Sequence, residues 1–304
     1  MQDGVLTTIY HTPEGDVSTQ VKTHAGRIAD KQAVETAGLI KSVDNYDPVL
    51  FMIEDTVFHA DSSIYYDTVR DLGGDGIFRD TALDFDASPY GATKLYYGEI
   101  YGLDTWVYHQ RDHPHHFAKL LEAQTRRDER RLELVANSPA EFMAFGWIEG
   151  LWSPEQFHQR ELPFYKKWVP YLQSKGKILA LHCDVTRGLK SYKDVIRETG
   201  VDVVEAFTPP PLSDLSLREA REAWGNTIVW VNFPESIFLS GVDATMEYTI
   251  GLLKDAAPGD RLVLGFTEMG TWGATDSETD RCFKAGTLAV MDAIDTHGVY
   301  PIRA

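Results

Sequence analysis

Cysteine is scarce. Cys183 and Cys282 are the two thiols in 304 residues. That count argues against a disulfide framework and for a reducing, cytoplasmic location. Long apolar runs are missing too. No stretch reaches the roughly 18 apolar residues a spanning helix needs, so no membrane partner is expected. The opening residues, Met1-Gln-Asp-Gly-Val-Leu, lack the basic and apolar regions of a signal peptide. Positive charge is short: 29 Lys and Arg against 46 Asp and Glu give a formal charge of −17. Such a chain lacks the basic footprint that nucleic-acid phosphates require. Its acidity suits a solvated surface or a partner with a basic face. No repeat of fixed period and no low-complexity tract occurs. No Gly-x-Gly-x-x-Gly or Walker-type loop follows an apolar run, which weakens a nucleotide-binding reading.

What is present is a regular alternation. With 43% hydrophobic residues the chain can bury a full core, so disorder is not expected. Residues 1–46 are polar and contain glycine, with a turn signal at Thr12-Pro-Glu-Gly15, and read as an N-terminal extension packed on the domain. Val49 to Ile53 and Gly76 to Phe78 are predicted strands. Pro114 to Ala136 is a predicted helix with Pro114 in its first turn and Phe117, Leu120, Leu121 and Gln124 on one face. Its run Arg126 to Arg131, of mixed sign, reads as a solvated face. From residue 141 onward the pattern is unbroken. Strands are predicted at 142–148, 178–181, 201–204, 228–231 and 262–266, with helices between them and a last helix over 278–296. Ser153-Pro-Glu opens one helix with a capping residue followed by proline. The alternation implies a parallel sheet, and the length favours one closed (β/α)8 TIM barrel over 1–304, with Val299 to Ile302 as a weak eighth strand.

The chemistry-bearing residues follow the strands. Ile178 to Leu181 is a short apolar strand, and polarity flips at once to His182, Cys183 and Asp184. Ile148 leads to Glu149, Val204 to Glu205, Val231 to Asn232 and Thr267 to Glu268. In an α/β barrel these C-terminal strand ends share one mouth. Several carboxylates meeting a histidine repel one another unless a cation or shared protons hold them. A divalent metal is the economical answer: imidazole and thiolate ligands suggest zinc, and oxygen-rich sets also suit other metals. Cys183 and Asp184 are alternative ligands at this stage. Glu54, Asp55, His59 and Asp61 are weaker candidates for the same mouth, and Asp112-His-Pro-His-His116 is read as a surface histidine cluster. Trp147, Trp152 and Trp230 are placed to stack on an aromatic ring or to pack the core.

Leu181-His-Cys-Asp184, Ile196-Arg-Glu-Thr-Gly-Val-Asp-Val-Val-Glu-Ala-Phe207, Pro211 with Asp214-Leu, and Ala223-Trp-Gly225 resemble the uroporphyrinogen decarboxylase superfamily. So does Ser153-Pro-Glu-Gln-Phe with Pro163. The likeness spans about residues 70–302 and is densest over 141–270. The resemblance implies a (β/α)8 barrel and, in the branch of corrinoid-dependent methyltransferases, a zinc site built from His-x-Cys, Glu and Cys. The matching positions here are His182-x-Asp184, Glu205 and Glu268, so two expected thiolates are carboxylates. The implied function is transfer of a methyl group from an O-methyl (or N-methyl) small molecule to a corrinoid protein, assisted by a divalent metal, zinc first. His182, Asp184, Glu205 and Glu268 would hold the metal, Glu149 would protonate the leaving atom and Asn232 would orient the substrate. A corrinoid supplied by the partner protein and pairing into a homodimer belong to the same expectation. The alternative is a decarboxylase of this superfamily acting on a small carboxylated substrate. No Arg-Gln-Ala-Gly-Arg-like loop for gripping a porphyrinogen is present.

Overall fold

The computed structural model describes residues 4–23, 34–83, 87–90, 100–148, 150–185, 188–266 and 277–303. The chain gathers into two compact units, Met1–Trp147 with Pro170–Ile178, and Ile148–Val169 with Leu179–Ala304.

The first unit opens with an antiparallel sheet of β1 (Gly4–Thr12), β2 (Gly15–Thr23) and β3 (Val34–Ala37), in that order. The turn expected at residues 12–15 joins β1 to β2. Thr12 closes it, its hydroxyl donating to the Gly15 carbonyl at 2.7 Å, and Gly15 takes φ +123, which glycine alone adopts readily. Then come α1 (Tyr46–Glu54), α2 (Ser63–Leu72), β4 (Arg79–Leu83), α3 (Leu103–Asp112), α4 (Pro114–Ala136) and β5 (Phe142–Ile148).

The segment expected as a strand at 49–53 is helical. Pro48 sits in the first turn of α1, where its missing N–H costs nothing, and Tyr46, Val49 and Ile53 bury one helical stripe. This stripe packs on α4, whose bounds coincide with the expected helix. The short strand expected at 76–78 lies instead at β4. The charge run on α4 is not wholly solvated: Asp128 is buried and accepts from Arg127 Nε at 3.1 Å and Nη2 at 3.0 Å.

The second unit contains α5 (Pro154–Arg160), most of α6 (Leu162–Ser174) and of β6 (Ile178–Cys183), then α7 (Lys193–Thr199), β7 (Val203–Phe207), α8 (Leu217–Trp224), β8 (Ile228–Asn232), α9 (Val242–Ala256), β9 (Leu262–Gly265) and α10 (Ser277–His297). Ser153 caps α5 as expected, accepting from the Gln156 amide at 3.2 Å. The strands β4 to β9 are parallel and follow chain order in the sheet. Among the described residues no ladder closes that sheet into a ring, and Val299 to Ile302 is not a strand.

The register fixes which side chains share a face. His182 pairs with Glu205, Val203 with Ile228, Trp230 with Val263 and Asn232 with Gly265. Alternation then puts Ala180, His182, Val203, Glu205, Ile228, Trp230 and Asn232 on one face. Leu179, Leu181, Val204, Val229 and Val231 bury the other.

Candidate functional site

His182 stands at the C-terminal end of β6 and Glu205 stands beside it on β7. The imidazole Nδ1 lies 3.8 Å from Glu205 Oε1, and Nε2 lies 3.2 Å from Asp184 Oδ1. Asp184 follows the end of β6, where its amide donates to the Ile148 carbonyl at 2.8 Å. The histidine is buried, while the side chain of Asp184 is 47% exposed and that of Glu205 only 12%. Burial alone would lower the imidazole pKa. The two carboxylates outweigh it and push it up to about 9, so the ring carries a proton at neutral pH.

Cys183, the alternative to Asp184, faces away from this arrangement. It falls on the opposite face of β6, is buried, and its thiol is pushed up to about 12, chiefly by burial. A thiol so disposed is a small apolar packing group. Asn232 shares the face of His182 and Glu205, and its Nδ2 donates to Thr208 Oγ1 at 3.2 Å.

Between Glu205 and Thr208 the strand is irregular. The β7–β8 register shifts between Val204 and Phe207, and Ala206 adopts φ +59. This is a bulge: one extra residue enters β7 and reverses the alternation beyond it. Phe207 therefore joins the covered face, where it is fully buried with its ring 5.5 Å from that of Trp224. Thr208 comes to the face of Glu205. Nothing in the sequence marks Ala206 for a left-handed conformation, so Thr208 was not among the expected site residues.

Of the three tryptophans, Trp147 is half-buried on β5. Trp152 is buried with the Arg160 guanidinium 4.4 Å from its ring centre. Trp230 lies on the site face, close against β9. A Cβ on Gly265 would come within 3.0 Å of its indole nitrogen. Glu149 and Glu268 lie outside the described residues.

The weaker candidates fall elsewhere. His59 and Asp61 line a cavity of about 380 Å³ with Tyr65, Asp80 and Arg131. Ser138 to Ala140, which precede β5, complete its wall, so it lies at the N-terminal ends of β4 and β5 and not at the C-terminal ends. The cluster Asp112 to His116 lies at the surface, with Asp112 and His115 exposed and His113 and His116 half-buried, and it adjoins a buried histidine outside it, His109. Tyr46 accepts or donates at His109 Nδ1 (3.0 Å) and at Tyr101 Oη (2.8 Å), with all three residues buried, and the ring of His113 lies 4.9 Å from that of His109.

Among the described residues no group of three or more His, Cys, Asp and Glu side chains is arranged to hold a metal ion. The geometry gives the reason. The two carboxylates approach different ring nitrogens of His182, and an imidazole has one lone pair to give. A metal on one nitrogen would leave the other to donate to the remaining carboxylate, the usual partnership of a ligating histidine. The described residues would thus offer a cation one imidazole nitrogen and one acid, with the other acid in a supporting place.

No protein-family model matches the sequence, and no curated protein matches it. The fold is shared with a solved methyltransferase from Methanosarcina mazei, at a TM-score of 0.53 and 14% identity, covering 87% of this chain and 72% of that one.

Proposed function

We propose that the chain is a methyltransferase of the uroporphyrinogen decarboxylase superfamily, built on a (β/α)8 barrel, that moves a methyl group from an O-methyl (or less readily N-methyl) small molecule to a corrinoid protein. The observation that carries this reading is the His182 imidazole bracketed by Glu205 and Asp184 at adjoining strand ends. The fold likeness to a methyltransferase supports it.

In this reading His182, Asp184, Glu205 and Glu268 would form the site of a divalent metal, zinc first, with one of Asp184 and Glu205 supporting the imidazole from its other nitrogen. When bound, the metal supplies Lewis acidity to the heteroatom that leaves as the methyl group departs. The chain's own residues do the rest. The Glu205 carboxylate is nearly buried, in a place where water screens a charge poorly. Asp184 faces solvent and meets an incoming cation first. Glu149, the residue after β5, protonates the leaving heteroatom. An oxygen-rich set is harder than the thiolates of the related branch and favours an oxygen leaving group.

The test has two parts. Metal analysis of the purified protein should find bound divalent metal that the His182→Ala variant loses. Methylation of reduced cobalamin, followed by its visible spectrum against a panel of methoxylated compounds, should depend on His182 and Glu268. Retention of full activity in both variants would sink the assignment. One observation favours a second reading, decarboxylation of a small carboxylated substrate: a protonated His182 can donate a proton to the carbanion left by carbon dioxide. Carbon dioxide release without any corrinoid would select it.

A further inference from the structure

Glu205 is aimed by a bent strand, and the bend is held by the side chains of Thr208, which has no assigned role, and Asn232. Ala206 lies at φ +59, a conformation that is costly for a residue with a Cβ and that persists only where its surroundings impose it. The imposing groups are visible. Thr208 Oγ1 donates to the Ala206 carbonyl at 3.2 Å, and Asn232 Nδ2 donates to Thr208 Oγ1 at 3.2 Å. The hydroxyl thus acts at once as donor and acceptor, tying the bulge of β7 to the end of β8.

We propose that Thr208 and Asn232 are positioning residues that lock the Ala206 bulge and thereby hold the Glu205 carboxylate against His182. Asn232 then acts through Thr208 and not by touching substrate. The ligand role of Glu205 rests on the function proposed above. The lock itself does not, because it is a matter of backbone geometry.

The experiment is a double-mutant cycle on Ala206 and Thr208 in the full chain. Glycine adopts a positive φ without a Cβ penalty and needs no lock. Thr208→Val should therefore lower the urea midpoint in the Ala206 background, and lower it by less than half as much in the Ala206→Gly background. Equal losses in the two backgrounds overturn the lock. The second readout is zinc affinity by calorimetry. Thr208→Val and Asn232→Ala should each weaken it at least about tenfold, the usual cost of losing a group that orients a metal ligand. Thr208→Ser should stay within about threefold of the parent, since it retains the hydroxyl. Ala206→Gly/Thr208→Val should recover most of the loss. Unchanged affinity in Thr208→Val, or no recovery in the double variant, overturns the positioning role. A parent protein that binds no zinc removes the metal reading alone, and the stability cycle then decides the lock by itself.

Discussion

The Asp184 carboxylate lies 3.2 Å from Nε2 of His182, although one side chain is half exposed and the other is buried. This contact and that of Glu205 make the imidazole a better base than a free histidine. A metal must therefore displace a proton to bind. With the pKa near 9, zinc affinity should rise about tenfold per pH unit between pH 7 and 8.5, with about one proton released per ion at pH 7. Calorimetry in two buffers of different ionisation enthalpy measures both quantities. A flat profile would show that His182 is not a ligand.

The same shift predicts how the metal-free protein responds to pH. The folded pKa, about 9, exceeds the ordinary value of 6.5, so between them the folded state binds more protons than the unfolded one. The stabilisation is complete below pH 6.5 and is lost as pH rises through 9. Its size is on the order of 2 kcal/mol, after discounting the screened contact to half-exposed Asp184. Urea titrations at pH 6.5, 8 and 9.5 should show the decline, and His182→Gln should flatten it.

Phe207→Ala should be among the most damaging changes in the second unit. The ring is fully buried against Trp224. Its removal leaves a cavity beneath the bulge, at a cost of about 3–5 kcal/mol. A loss below about 1 kcal/mol in denaturant unfolding would show that the bulge does not commit Phe207 to the covered face.

Lys177 gives a prediction for the first unit. It is buried, and its ammonium donates to the Ser138 carbonyl at 2.5 Å and the Ala140 carbonyl at 2.7 Å. Burial lowers its pKa, against the pull of Asp80 and Glu141. Lys177→Met keeps the apolar stem but strands both acceptors, and should destabilise by about 2 kcal/mol. Thermal unfolding of this variant beside the parent checks the figure.

How much of this was legible in the sequence depended on the range of the interactions. α4, β5 and the cap of α5 follow from neighbours a few residues apart, such as Pro114 or the Ser153–Gln156 pair, and were read with their bounds. The run from Val49 to Ile53 is short and apolar enough for either state. What decides it is burial against α4, far along the chain. His182, Asp184 and Glu205 were legible because polarity changes abruptly where a strand ends. Their division between the two ring nitrogens was not, since it depends on the register of β6 and β7. The pairing of Tyr46 with His109 spans 63 residues and left no local trace. Thr208 was hidden for a different reason: alanine carries no sign that its backbone will turn left-handed.

The bulge has a consequence for how β7 can vary over evolutionary time. Flattening it with the extra residue still in the strand would swap the destinations of Phe207 and Thr208. A phenyl ring would then enter the polar face and a hydroxyl would be driven among aliphatic groups. Substitution at 206 costs little by comparison where the new residue tolerates a positive φ, since the kink then stays. At this point of the chain the kink is guarded more strictly than the identity of the residue that makes it.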